Sequence, residues 1–226
     1  STVQRWRTTA SRCRRLFRES PNDHAHCKRQ DLEISVRVLV GCEESGVVRD
    51  AFLAAGHEAM SCDLMPSRSP GPHYQGDVRD VLHYPWDIAV FHPPCTHTSV
   101  SGAKHFAEKR MNGRQQAGVS FVMELSRAPI PMIAIEQPVS VLSSLWRKPD
   151  QIIQPWMFGH GETKATCLWL KGLPQLAATS IVEGREARVH RMAPGPNRAR
   201  DRSATFQGIA EAMAAQWGRA FVLRAS

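Results

Sequence analysis

The chain has 226 residues, 42% apolar and 22% charged, with a formal net charge of +8. That balance suits one folded α/β domain with a substantial core and excludes a highly charged, coreless chain. No apolar run approaches the roughly 20 residues needed to cross a bilayer, so no membrane partner is expected.

Residues 1–30 hold eight Lys/Arg against Glu19 and Asp23, so a net +6 of the charge sits there. This basic segment reads as a nucleic-acid-binding arm, as an Arg- and Ser-rich targeting segment, or as a disordered or vector-derived leader. The leader reading over residues 1–33 is preferred, because nothing apolar and periodic supports a fold there. Cys13, His24, His26 and Cys27 match no common zinc spacing, so no metal is assigned. The six cysteines form no CxxC pair, which points to a reduced, cytoplasmic setting.

From residue 34 to the end the pattern is that of one catalytic domain. Ser35–Val40 reads as a buried strand, residues 44–56 as an amphipathic helix stopped by Gly56, and His57–Cys62 as a second strand. After a Pro/Ser/Gly loop at 66–72 come Gly76-Asp77, a strand over Asp87–Phe91, and a helix around 105–127. A strand over Ile130–Ile135 and a short helix over 139–146 follow. Strands alternating with helices argue for a doubly wound, mostly parallel sheet. Gln151–Phe158 and Thr166–Leu170 read as an antiparallel pair closing one edge. Residues 175–204 show no clear periodicity, and a final helix spans about 206–223 with Ile209, Met213, Ala214 and Trp217 at core spacing.

The chemistry gathers at strand ends. Trp86–Phe91 runs into His92-Pro93-Pro94-Cys95, and paired prolines, with fixed φ and no N–H, end the strand in a rigid turn. Cys95 is thereby held where open α/β sheets bind ligands. Glu136-Gln137-Pro138 ends the next strand by the same device. One thiol and one carboxylate so placed suit covalent chemistry on an electrophilic ring or carbonyl. Gly41-Cys42-Glu43-Glu44-Ser45-Gly46 joins a strand to a helix start and forms a cofactor-cradling loop. Its acidic pair disfavours a pyrophosphate and suits a cationic or hydroxyl-rich cofactor. Asp63 stands where such sites place a ribose-binding carboxylate, and Asp77 stands at the next strand end to meet an adenine amine. Cys42, Cys62 and Cys167 read as core, as do Trp156, Trp169 and Trp217. His92 and His97 flank the nucleophile and could tune it, although loop histidines are usually solvated.

Taken in order, Val38–Phe52, Cys62-Asp63, Gly76-Asp77, Pro93-Pro94-Cys95, Glu136-Gln137-Pro138, Gln154–Thr166 and Phe206–Trp217 resemble the motifs of S-adenosylmethionine-dependent DNA cytosine-5 methyltransferases. The small, phage-type members without a large target-recognition domain are the nearest likeness. The resemblance implies the Rossmann-like sheet of class I methyltransferases and S-adenosyl-L-methionine, or a modified analogue, as cofactor. Gly41, Glu43, Glu44, Ser45, Gly46, Asp63, Asp77 and Pro93 would line its site. It implies Cys95 as the nucleophile at cytosine C6 and Glu136 as the partner of the N3/N4 edge. Lys164 would stand in for a cationic residue near the pyrimidine carbonyl. A base buried in a duplex would have to be flipped out.

Gln137 stands where the family usually has Asn, and His92 replaces the small residue common before Pro-Pro. Only residues 175–204 are left for target recognition. Arg185, Arg188, Arg191, Arg198 and Arg200, with Arg202 in the same segment, are candidates for DNA phosphates, and a partner subunit could supply sequence recognition. The same chemistry on RNA, a free nucleotide or a modified pyrimidine is the nearest rival. A catalytically silent nucleic-acid-binding module is the other. An adenine amino-methyltransferase would need an aromatic after Pro-Pro and no thiol.

Overall fold

The computed structural model describes residues 35–196 and 198–225, without the side chains of Ala199 and residues 222–225. The basic segment, its cysteines and its histidines lie outside the described residues.

Seven strands form one sheet: β1 (Arg37–Gly41), β2 (Glu58–Asp63), β3 (His73–Gln75), β4 (Ile88–Phe91), β5 (Met132–Pro138), β6 (Gln151–Ile153) and β7 (Thr166–Lys171). Their order is β3-β2-β1-β4-β5-β7-β6. The first five run parallel, while β7 is antiparallel to both β5 and β6. This is the doubly wound, Rossmann-like sheet with an antiparallel edge that the alternating pattern implied. Its reversal of strand order lies between β1 and β4, where such sheets take ligands at their carboxyl ends.

The side-chain period of two divides the strands cleanly between two apolar layers. Val38, Val40, Ile88, Val90, Met132 and Ala134 face one layer, which α1 (Val47–Ala54) and the last helix fill. Leu39, Ala89, Phe91, Ile133 and Ile135 face the other, against Val119, Val122 and Leu125 of a second helix. The last helix, Gln207–Ala225, buries Ile209, Met213, Ala214 and Trp217 as its spacing implied. Its second residue, Gly208, lies against the Phe158 carbonyl, where a Cβ would come within 2.0 Å of the oxygen.

Three expectations are corrected. The helix expected around 105–127 is two: α2 (Phe106–Met111) and α3 (Arg114–Ser126), broken at Gly113, whose φ of 74° leaves the right-handed helix. A 3₁₀ turn over Val100–His105 precedes them. Second, β5 does not stop before Glu136. It continues through Pro138, because Glu136, Gln137 and Pro138 pair with Leu168, Cys167 and Thr166, and a terminal strand position tolerates proline. Third, residues 175–204 hold α5 (Arg188–Arg191) and α6 (Arg198–Ser203), helices too short to show a period in sequence. The remaining helices are α4 (Leu142–Leu145) and α7, the Gln207–Ala225 helix already described.

Among the described residues no helix is long and apolar enough to cross a membrane. Arg49 of α1, a charged residue on an otherwise apolar face, is fully buried. Its guanidinium donates to Ser61 Oγ, Ser67 Oγ, Ser69 and the Pro70 carbonyl, tying the 66–72 loop to the sheet.

Candidate active site

The carboxyl ends of β1, β4 and β5 bring Glu43, His92, Cys95 and Glu136 together. After β4 the chain is fastened at every step. The His92 amide donates to the Gly41 carbonyl at 2.9 Å, and the Thr98 and Ser99 amides turn back onto the Cys95 carbonyl at 3.1 and 2.9 Å. Gln137, only 1% exposed, clamps the turn from β5: its Nε2 donates to the Pro93 carbonyl, and its Oε1 accepts from Thr98 Oγ1. Pro93 is buried and contributes its carbonyl to this clamp.

Glu136 is buried and lies 2.5 Å from His92 Nδ1. Burial alone would raise its carboxyl. The hydrogen bond and charge of His92, aided by Lys164 and Thr166, outweigh that and hold it below the ordinary carboxylate range. For His92 burial opposes the charged form, but Glu136 and then Glu43 win, and its value is raised. Each group therefore favours the charged form of the other, and one proton is shared in the hydrogen bond between the ends of β4 and β5. His92 Nε2 and Glu43 Oε2 are both buried without a hydrogen-bond partner among the described residues. The loop position of His92 had suggested solvation, and only the register of β4 on β5 reveals the pairing.

Burial pushes the Cys95 thiol up, and the Glu136 charge adds to this, while Lys164 and Arg202 pull it down. Lys164 thus reaches His92, Cys95 and Glu136 electrostatically. It is positioned by its amide, which donates to Gln154 Oε1 at 2.9 Å, and by its Nζ, which donates to the Ala204 carbonyl at 3.1 Å.

The β1 loop is shaped as a cradle. Cys42 has φ 59°, an uncommon left-handed conformation for a residue with a side chain, and Gly46 has φ 79° at the start of α1. Glu43 Oε1 accepts from the Val48 amide and from Ser45 Oγ, which itself accepts from the Val47 amide. Glu43 and Ser45 therefore cap α1. Glu44 is paired with Arg68 at 3.1 Å and Arg200 at 2.6 Å. Asp63 Oδ1 accepts from the Met65 amide, leaving the other oxygen without a contact among the described residues. Asp77 caps the following 3₁₀ turn through the Arg79 amide and pairs with the Arg79 side chain.

Four of the five arginines selected for phosphate contact make internal contacts. Arg185 stacks 4.1 Å from the Trp156 ring centre and donates to the Gly184 carbonyl, so Trp156 serves as its platform. Arg188 pairs with Glu162, Arg198 donates to the Met192 carbonyl, and Arg200 holds Glu44. Arg191 is exposed and without a side-chain contact among the described residues. Arg202 has no carboxylate partner among the described residues and, after Lys164, favours the ionised form of Cys95, which counting arginines along a patternless segment could not single out.

No family model and no curated relative matches the chain. Among solved structures it is similar to the Entamoeba histolytica methyltransferase EhMeth, at 13% identity and a TM-score of 0.44, over 74% of this chain and 62% of that one. It is also similar to the S. pombe Dnmt2 methyltransferase, at 15% identity and a TM-score of 0.39, over 70% of this chain and 54% of that one. The chain spans less than two thirds of either. At such identities the function must be read from the side chains themselves.

Proposed function

We propose that the protein transfers a methyl group to C5 of cytosine in DNA. The observation that supports this most strongly is the delivery of Cys95 and Glu136 from neighbouring strand ends, with His92 holding Glu136 ionised and Lys164 electrostatically coupled to all three. A C5 carbon becomes nucleophilic only after a nucleophile adds at C6, and that needs both a thiol and a group managing charge at N3 and N4.

The cradle fits a sulfonium cofactor in its chemistry. The unpartnered Glu43 oxygen suits a cationic amine, and Asp63 at the end of β2 suits a ribose. S-adenosylmethionine held there would supply an electrophilic methyl group.

The chain's own residues manage the ring. The Cys95 thiol is protonated in the free protein at neutral pH, and the charges of Lys164 and Arg202 favour its ionised form. The sulfur bonds to C6, the C5–C6 double bond opens, and N3 gains through Glu136 the proton shared with His92. The proton lost by Cys95 replaces it, so the adduct is neutral with an enamine carbon at C5. After C5 is substituted, its proton passes to solvent water, the Cys95 thiolate leaves C6, and the N3 proton returns through Glu136, which regenerates the neutral aromatic ring. Glu136 accepts from the N4 amine throughout.

The test is methyl incorporation. Incubation with methyl-labelled S-adenosylmethionine and duplex DNA, followed by digestion to nucleosides, should yield labelled 5-methyldeoxycytidine, and Cys95→Ser should yield none. Label in another nucleoside, or undiminished label with Cys95→Ser, would overturn the assignment.

A further inference from the structure

Beside the strand-end site lies a cavity of about 270 Å³ between the Glu162 turn, α5 and the α6–α7 junction. Its walls are apolar at Val189, Met192 and Phe206, and polar at Glu162, Arg188, Arg202, Thr205 and Asp201, the last paired with Arg68 at 3.5 Å. Glu162 is 8% exposed; one carboxylate oxygen pairs with Arg188, and the other, Oε2, is buried without a partner among the described residues. A buried carboxylate oxygen left empty is unfavourable unless a donor arrives to fill it. The segment bearing Arg188 is held in place by backbone bonds, the Thr163 amide on the Glu186 carbonyl and the Glu186 amide on the Gly161 carbonyl.

We infer that this cavity receives the nucleobase next to the reacting cytosine, that Glu162 Oε2 accepts from that base's exocyclic amine, and that Arg202 holds the phosphate linking the two nucleotides. The inference rests on the proposed transfer to DNA and adds the substrate's neighbouring nucleotide to it. A flat ring with apolar faces and a mixed donor–acceptor edge matches apolar walls beside a carboxylate–guanidinium pair. The volume lies just under the roughly 300 Å³ at which small-molecule pockets begin, which is room for one base. Arg202 supplies the link, because it lines this cavity, has no carboxylate partner among the described residues, and its charge is felt at Cys95. Lys164 joins the two sites from the other side, with Nζ on the Ala204 carbonyl and 5.8 Å from the Phe206 ring centre. Glu162 and the segment from Arg188 to Phe206 thus read a neighbouring base through a folded pocket.

The test uses the intact protein, S-adenosylmethionine and oligonucleotides carrying 5-fluorocytosine, with each of the four bases placed in turn on its 5′ and 3′ sides. The readout is the rate at which denaturation-resistant adduct forms. At one of the two sides, an amine-bearing neighbour should be trapped roughly tenfold faster than thymine, the discrimination expected of one base contact. Glu162→Gln should erase most of that difference while still trapping the thymine substrate. Met192→Trp fills the cavity while leaving the Glu162–Arg188 pair intact, and should slow every amine-bearing substrate to the thymine rate without lowering the melting temperature. Arg202→Gln should slow all sequences alike and reduce the salt slope by about one counterion. Equal wild-type rates with every neighbour, or full preference surviving in both cavity variants, would overturn the inference while leaving the transfer reading standing. No adduct with any oligonucleotide would overturn the transfer reading and this inference with it.

Discussion

Glu136 and Gln137 stand on β5 and are paired to β7, whereas Arg185, Arg188, Arg198 and Arg200 hang from a segment whose described residues hold two short helices. On the strand side, each polar group is placed by the sheet: His92 by its bond to Gly41, Glu136 by His92, the Pro-Pro turn by Gln137. On the segment side, arginine heads bond to carbonyls and carboxylates of the surrounding loops. A sheet positions groups rigidly enough for covalent chemistry, and a loop braced by arginine side chains on neighbouring groups can vary without disturbing it. On the proposed function, reaction would fall to one side and recognition to the other.

The sharpest way to break that division is to remove a strand-side group. Cys95→Ser should lower methyl incorporation by a factor on the order of 10⁴ or more, measured under single turnover, with melting unchanged. Arg49→Met should have the largest effect on stability, about 3 kcal/mol in denaturant titration, because it leaves Ser61, Ser67 and the Pro70 carbonyl without their buried donor. Gln137→Leu should cost about 2 kcal/mol by the same assay, because the buried Pro93 carbonyl loses its donor, and it should slow turnover by loosening the Cys95 turn. On the segment side, Arg185→Ala should cost only about 0.5–1 kcal/mol, the size of an exposed cation–aromatic contact. A larger loss there than at Gln137 would erase the contrast.

The His92–Glu136 pair gives a pH test. The raised His92 contributes stability that is complete below its unfolded value of about 6.5 and is lost as pH rises through its higher folded value. The depressed Glu136 contributes stability present above its unfolded value of about 4.3 and lost as pH falls through its lower folded value. Wild-type stability relative to His92→Gln should therefore be greatest between roughly pH 4.5 and 6.5 and decline on both sides. A pH-independent difference would mean that the pair is not an ion pair.

The parallel strands were legible because Val38–Val40 and Ile88–Phe91 are continuous apolar runs, and α7 because its core residues recur at helical spacing. Cys95 and Glu136 were legible as positions, since proline marks the strand ends. Their partners were not. The contact between His92 and Glu136 depends on β4 lying beside β5, 44 residues apart in sequence, and no local pattern encodes it. Arg49 was hidden for a similar reason, its partners coming from the 66–72 loop and β2. The segment 175–204 was opaque because α5 and α6 are each under two turns and are fixed by contacts elsewhere.

The measurement that bears most directly on the strand-side chemistry is the site of the covalent bond. The protein is incubated with S-adenosylmethionine and a 5-fluorocytosine oligonucleotide, digested with protease and nuclease, and the cross-linked peptide is sequenced by mass spectrometry. Because fluorine cannot leave as a proton does, the enzyme should stall with the nucleotide on Cys95, the ring carrying one added methyl group. A bond to any other residue, or unmodified Cys95 where 5-methyldeoxycytidine is being formed from ordinary DNA, would contradict the account.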